Sequence, residues 1–139
     1  SQVASGVDVI KLGKLTPTRD FNYVSDTCDA FIEVAASKDT IGRVVNSASN
    51  FEISIEETAK LIVEIMNSKA SVVLDKNRLR PTNSEVDRLF GDNTLIKKLT
   101  NWNPKFSGKE GFKIGLEETI RWFLKDKSIY IKNPSEYLI

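Results

Sequence analysis

Arginine stands close to proline in two short segments, and this pairing is suited to holding a phosphorylated ligand. The segments are residues 17–26 (PTRDFNYVSD) and residues 78–86 (RLRPTNSEV). Arginine offers a planar fork of donors that matches phosphate oxygens, and a loop stiffened by proline loses less conformational freedom on binding. If the two segments face each other, Arg19 and Arg80 could hold a diphosphate between them.

Two other interpretations of these residues stay open. Arg19 could pair with Asp20, and Arg80 with Glu85, as surface ion pairs that contribute about 0–1 kcal/mol each. An unrelated enzyme could instead use Asp20, Asp26 and Glu85 for acid–base chemistry. Nothing in the spacing of those three carboxylates requires a shared site.

Histidine is absent from the chain, and cysteine occurs once, at Cys28. These two facts exclude Ser-His and Cys-His catalysis and argue against a zinc site of the usual ligand types. A lone cysteine without a partnering base is more often a small core residue than a nucleophile. We therefore predict no metal site and expect Cys28 to lie in the core.

Three signatures of nucleotide and dehydrogenase chemistry are missing. No Gly-x-Gly-x-x-Gly fingerprint follows a strand, and no Gly-x-x-x-x-Gly-Lys-Ser/Thr loop occurs. No Tyr-x-x-x-Lys occurs either, because Thr27 and Pro134 stand four positions after Tyr23 and Tyr130. We therefore expect neither a bound cofactor nor a catalytic residue in this chain.

Charge and length set further limits. Lysine plus arginine number 20 and aspartate plus glutamate 19, so the net charge of +1 gives no reason to expect a nucleic-acid or membrane partner. No apolar run approaches the length of a membrane span, and no signal peptide leads the chain. A cytoplasmic location is the simplest expectation. The 139 residues, 40% of them hydrophobic, predict a single domain over residues 1–139.

The pattern of apolar residues predicts the elements that must position the two arginine segments. β-branched runs favour short strands at residues 7–12, 43–47 and 71–74, with another extended piece at 21–24. A first helix is expected to begin at a cap by Ser25 or Asp26 and to run to about Ser37. Its apolar stripe would be Ala30, Phe31, Val34 and Ala35.

Capping residues at three helix starts predict three more helices. A capping box between Ser54 and Glu57 predicts the second, with Ile55, Ala59, Ile62 and Met66 on one face. Asp92 or Asn93 can cap a short third helix, and residues 107–110 open a long fourth one. The elements together predict a mixed α/β fold.

Four collinear segments resemble the carboxy-terminal part of extended short-chain dehydrogenases/reductases, the NAD-dependent nucleotide-sugar epimerases and 4,6-dehydratases. The resemblance covers nearly the whole chain, and its arginine–proline loop is similar to that of the bacterial UDP-N-acetylglucosamine 4,6-dehydratases of legionaminic-type sugar synthesis. The segments are residues 12–32, residues 44–55, residues 78–86, and the closing region from Trp102-Asn-Pro104 through Gly115-Leu116 to Trp122-Phe123.

The resemblance implies both a fold and a site. The fold would be a small mixed α/β lobe of short strands and about four helices, without the amino-terminal NAD-binding half. Arg19 and Arg80 would hold the diphosphate of a UDP-type sugar, Glu85 would sit near the ribose, and NAD would belong to the parent enzyme. Asn46 would be structural, and Asp26 would cap the first helix while positioning the arginine loop.

The resemblance also leaves the partner open. The chain could be a substrate-binding lobe that does not catalyse alone, or a stand-alone module for binding or assembly that retains the fold. A strand at 43–47 would lack its usual sheet, and an exposed strand edge invites pairing between chains. We therefore expect either a homodimer or an association with the missing NAD-binding half.

Overall fold

The computed structural model of the chain describes residues 1–125, and its strands and helices follow one another in the predicted order. This arrangement confirms a small mixed α/β fold with short strands and four helices. The strands are β1 (Val9–Leu12), β2 (Thr18–Asp20), β3 (Glu52–Ser54) and β4 (Ser71–Leu74). The helices are α1 (Val24–Ala36), α2 (Ile55–Ile65), α3 (Thr94–Leu99) and α4 (Gly108–Lys125).

The chain divides into two compact units, each made of separate stretches of sequence. The first unit comprises Ser1–Pro17, Ser54–Asp87 and Leu116–Ile139, and the second comprises Thr18–Ile53 and Arg88–Gly115. The prediction of a single domain over residues 1–139 stays a prediction. No helix within residues 1–125 is long and apolar enough to cross a membrane.

The first unit is built on a parallel pair of strands. β1 and β4 pair in register from Val9 opposite Ser71 to Leu12 opposite Leu74. Strands that run parallel require a long crossover between them, and α2 lies in the stretch that precedes β4. Ile10 of β1, Ala59 of α2 and Ala70 before β4 are buried and supply the apolar interior of this unit.

The predicted capping box at the start of α2 is confirmed. The Ser54 hydroxyl accepts from the Glu57 amide at 3.1 Å, and the Glu57 carboxylate accepts from the Ser54 amide at 3.1 Å. The next two free amides of the first turn are also satisfied, because Ile55 donates to the carbonyl of Pro17 and Glu56 to that of Leu15. These hydrogen bonds hold the start of α2 against residues 15–17.

The second unit has an aromatic and aliphatic core. Ala30, Ile96 and Trp102 form a buried cluster against which Val34 and Val45 pack. The Trp102 indole N–H donates to the carbonyl of Asp26 at 2.8 Å, so this buried ring is also anchored by a hydrogen bond. Trp102 is therefore a core residue.

Rings complete the packing of the second unit. Phe112 of α4 stacks on Phe21 with 5.6 Å between ring centroids and also meets Phe51. Tyr23 packs on Phe106 at 4.2 Å. These contacts hold the start of α4 against the residues on either side of β2.

The predicted strand at residues 43–47 is wrong, because this segment has no regular secondary structure in the described chain. Val45 packs against the core while Val44 is 91% exposed. A β-branched run becomes a strand only when another strand accepts its hydrogen bonds, and β3, at 52–54, forms the sheet with β2 instead. The extended piece predicted at 21–24 is also displaced, since the strand lies at Thr18–Asp20 and α1 begins at Val24.

The first turn of α1 also differs from the prediction. Tyr23 occupies the N-cap position and makes no side-chain cap, so neither Ser25 nor Asp26 caps the helix. Asp26 is 2% exposed, and its Oδ2 accepts from the Phe106 amide at 2.9 Å. The carboxylate therefore links α1 to the turn before α4 instead of capping the start of α1.

The apolar stripe predicted for α1 is half wrong. Ala30 and Val34 face the core, but Ala35 is exposed and Phe31 is 74% exposed. Cys28 is exposed as well, so its expected core position is wrong. The buried face of the helix carries Asp26 and Ala30. A prediction that places every carboxylate in solvent therefore assigns the wrong residues to the buried face.

Candidate functional site

Arg19 lies on β2, a strand whose backbone is held on both sides. β3 pairs with one edge of β2. On the other edge, Leu89 donates to the carbonyl of Thr18 at 3.1 Å and accepts from the Asp20 amide at 3.0 Å. The Arg19 guanidinium donates through Nη1 to the Thr18 carbonyl at 2.7 Å. The half-buried arginine thus extends from a fixed backbone.

An ion pair also helps to hold the strand that carries the arginine. Arg88 donates to both carboxylate oxygens of Glu52, at 2.6 Å from Nη2 and 2.9 Å from Nε, and the Thr18 hydroxyl adds a bond at 2.8 Å. The hydrogen bond from the Arg88 guanidinium is the main cause that lowers the pKa of Glu52 from 4.5 to about 2. The same contact raises the pKa of Arg88.

Asp20 performs a structural task next to Arg19. Its Oδ1 accepts from the amide and the hydroxyl of Ser49, at 2.8 and 2.6 Å, and its Oδ2 accepts from the Asn50 amide at 3.0 Å and the Gly91 amide at 3.3 Å. A carboxylate with four such donors is a loop anchor. The alternative of acid–base chemistry by Asp20, Asp26 and Glu85 stays a hypothesis, and Asp26 is buried.

The second arginine segment lies in the first unit. Its two arginines have different surroundings in the structure. Arg78 ends a 3₁₀ turn and lies 3.5 Å from the Asp75 carboxylate, with both side chains largely buried. Its carbonyl also lies against Gly13, where a Cβ would approach it to 2.5 Å. Arg78 therefore holds this loop to the end of β1.

Arg80 differs from Arg78 in its surroundings. It is exposed, and within residues 1–125 no carboxylate forms an ion pair with it. The loop beyond it is turned by Pro81, whose carbonyl accepts from the Ser84 amide at 2.9 Å. Glu85 follows, half-buried. An exposed guanidinium on a proline-turned loop is available to an anionic ligand.

The structure assigns the three predicted site residues to different units. Arg19 belongs to the second unit, whereas Arg80 and Glu85 belong to the first. The convergence of the two arginines on one ligand stays a prediction. In the described residues Arg80 forms no ion pair with Glu85, although Glu85 has an interaction of its own.

A groove of about 440 Å³ lies beside Asp20 in the second unit. Apolar side chains and amides share its wall, and the Asn22 side chain donates to the Ser47 carbonyl at 2.7 Å. Asn46, expected to be structural, is exposed on this wall. The signal for the groove in the sequence was the run of small polar residues at 46–50, where Asn50 takes a left-handed φ of 58°. The lining also includes Val45, Ala48, Leu89, Phe90 and Gly91.

In the described residues, Gly13 follows β1 but leads into residues 14–17 and β2, so no glycine-rich turn there joins a strand to a helix start. The expectation that this chain holds no cofactor of its own stays a prediction. No group of three or more side chains within residues 1–125 could hold a metal ion.

Comparison with solved structures places this fold among the nucleotide-sugar epimerases and dehydratases of the extended short-chain dehydrogenase/reductase class. The UDP-glucose 4-epimerase from Thermotoga maritima, solved with UDP-glucose, superposes with a TM-score of 0.73 at 26% identity. The match covers 87% of this chain and 36% of that one. The residues that match the profile of the GDP-mannose 4,6 dehydratase family are 1–114, and the chain belongs to this family.

Comparison with curated relatives agrees with this family and shows how much of their length the chain spans. A UDP-N-acetyl-α-D-glucosaminuronate decarboxylase from Bacillus cytotoxicus is 32% identical over 120 residues, which cover 85% of this chain and 36% of that protein. The human dTDP-D-glucose 4,6-dehydratase is 30% identical over 116 residues, with 76% and 29% covered. The chain therefore spans about a third of the length of these relatives.

Proposed function

We propose that the chain is the substrate-binding part of an NAD-dependent nucleotide-sugar 4,6-dehydratase or epimerase. It binds the diphosphate of a UDP-type sugar through Arg19 and Arg80, places Glu85 near the ribose, and does not catalyse alone. Membership of the family supports the reaction class. A complex with UDP-glucose among the solved relatives supports the choice of ligand.

The observation that carries the proposal is the contrast between Arg78 and Arg80. The two arginines lie two residues apart on one loop. Arg78 pairs with Asp75, whereas Arg80 is exposed and forms no ion pair in the described residues. A structural loop needs only the first of these arginines. The second lies at the surface beside a proline, where it can bind an anion.

Calorimetric titration tests this function. UDP and then UDP-N-acetylglucosamine are titrated into the chain and into the Arg19→Ala, Arg80→Ala and Arg121→Ala variants. A charge-assisted bond to phosphate contributes about 1.5–3 kcal/mol, so loss of either of the first two arginines should weaken binding about tenfold or more. Arg121 lies on α4 beside Glu118 and serves as the matched control, whose loss should leave affinity unchanged.

Two results would overturn the proposal. Equal weakening in all three variants would indicate a general effect of positive charge rather than a site. Turnover of UDP-N-acetylglucosamine by the chain with added NAD would contradict the absence of catalysis. If no ligand binds at all, the second candidate function, a non-catalytic assembly module, is favoured by the exposed apolar side chains of Val24, Phe31 and Ile32 on α1.

A further inference from the structure

The loop at residues 79–86, which carries the second of the two site arginines, has little apolar packing. Leu79 and Val86, the apolar side chains at its two ends, are 43% and 45% exposed. Inside the loop, the amide and the hydroxyl of Ser84 both donate to the Pro81 carbonyl at 2.9 Å. A surface loop with few buried apolar contacts opens at a low cost in free energy. Its shape therefore depends on what holds its two ends.

The first end of the loop lies against the turn that follows β1. The Leu12 carbonyl accepts from the Asp75 amide at 2.7 Å. One residue further along, the backbone of Gly13 approaches Arg78 so closely that a Cβ would stand 2.5 Å from the Arg78 carbonyl oxygen and 3.3 Å from its carbonyl carbon. The chain that leads into the loop is therefore packed backbone against backbone.

The next residue of the same turn holds the other end of the loop. Lys14 donates through Nζ to Oδ1 of Asp87 at 2.5 Å, across 73 residues of sequence. The two side chains are 40% and 75% exposed. Consecutive residues of one turn, Gly13 and Lys14, thus contact the residues that flank the loop on either side. A loop fixed at both ends samples fewer conformations than one fixed at a single end.

We propose that Lys14 is a positioning residue for Arg80, and that it acts through its ion pair with Asp87. The inference rests on the proposed function, in which Arg80 binds the diphosphate of the ligand. A loop that is already closed loses less conformational freedom when the ligand binds, and this raises the affinity. An exposed ion pair contributes little to the stability of a whole fold. The effect of this pair therefore falls on the loop and on ligand binding rather than on unfolding.

The opposite charges of the pair distinguish this role from a simple electrostatic one. If Lys14 acted only as a positive charge near an anionic ligand, its loss would weaken binding, whereas the loss of Asp87 would strengthen binding. If the pair holds the loop, the loss of either partner weakens binding. Exchanging the two residues rebuilds the pair and should restore the affinity.

Calorimetric titration with UDP compares the wild type with Lys14→Gln, Asp87→Asn and the exchanged variant Lys14→Asp with Asp87→Lys. Each single variant should weaken binding about two- to fivefold, the range that an exposed ion pair supplies, and the exchanged variant should recover most of the loss. Lys60→Gln is the matched control, because it breaks another exposed lysine–carboxylate pair of the first unit, the one with Glu56 at 2.6 Å. It should leave the affinity unchanged, and all variants should keep the wild-type urea midpoint.

Amide hydrogen exchange at Ser84 gives a measurement that needs no ligand. Exchange should be about two- to fivefold faster in Lys14→Gln and in Asp87→Asn than in the wild type or Lys60→Gln, because the loop opens more often. If UDP fails to bind even the wild type, the proposed function fails, and the exchange rates still decide whether Lys14 holds the loop. Unchanged exchange in the two single variants overturns the inference.

Two results of the titration would also overturn the positioning role while leaving the proposed function intact. In the first, Arg80→Ala weakens UDP binding but neither Lys14→Gln nor Asp87→Asn does. In the second, Lys14→Gln weakens binding and Asp87→Asn strengthens it, which would reduce Lys14 to a nearby positive charge.

Discussion

Two glycines one turn apart on α4 should respond to different degrees to the same added methyl group. At Gly111, a Cβ would lie 2.6 Å from the carbonyl carbon of Phe106 and 2.9 Å from its Cα, distances that real Cβ atoms essentially never show. The obstacle is backbone and cannot rotate away. At Gly115, the nearest atoms are on the rings of Tyr23 and Phe106, at 3.3 and 3.5 Å, and rings can shift by a few tenths of an ångström.

The expected magnitudes follow from two opposing terms. Alanine in place of glycine favours a helix by about 0.5–1 kcal/mol, whereas overpacking a well-filled site costs about 1–3 kcal/mol. Moving Phe106 also strains the hydrogen bond from its amide to Asp26, which is worth about 1 kcal/mol or more. Gly111→Ala should therefore lose about 1–3 kcal/mol of unfolding free energy, and Gly115→Ala should stay within about 1 kcal/mol of the wild type.

Urea denaturation followed by far-ultraviolet circular dichroism measures both variants under one set of conditions. A shift of the midpoint with an unchanged m-value reports stability alone. The reasoning is refuted if Gly111→Ala is as stable as Gly115→Ala, because helix propensity would then outweigh the contact with Phe106.

Two further predictions concern the second unit. The pKa of Glu52 is lowered from 4.5 to about 2, so its ion pair stabilises the fold above pH 4.5 and this contribution is lost as the pH falls through about 2. Glu52→Gln should therefore flatten the dependence of the urea midpoint on pH in that window; a variant that keeps the wild-type slope would assign it to other carboxylates. Trp102→Phe removes the indole donor of a buried 2.8 Å hydrogen bond and should lose about 1–3 kcal/mol. It should also remove most of the blue-shifted fluorescence, since the other tryptophan, Trp122, is 59% exposed.

Features that depend on a few consecutive residues were predictable. The capping box at Ser54 needs only four residues, and the structure has both of its hydrogen bonds. β4 occupies residues 71–74 as predicted, because a β-branched run there meets β1. The four helices also follow from local pattern, whereas two of the four strands lie at other residues than predicted.

Features that depend on distant partners were not predictable. Val44 and Val45 favour a strand locally, but the sheet with β2 is formed by residues 52–54. The buried face of α1 includes Asp26, whose Oδ2 accepts from an amide 80 residues further along the chain. Sequence patterns also do not distinguish Arg78 from Arg80, because the partner of Arg78 is set by the fold of the loop.

The way in which the two units share the chain limits how the protein can be divided. Each unit is assembled from stretches that alternate along the sequence, with the changes at 17–18, 53–54, 87–88 and 115–116. No single cut releases one unit intact, so a protease nick, a fusion junction or a shortened gene within residues 18–115 damages both. Anyone wishing to graft the arginine loops onto another scaffold must therefore transplant the interleaved chain as a whole.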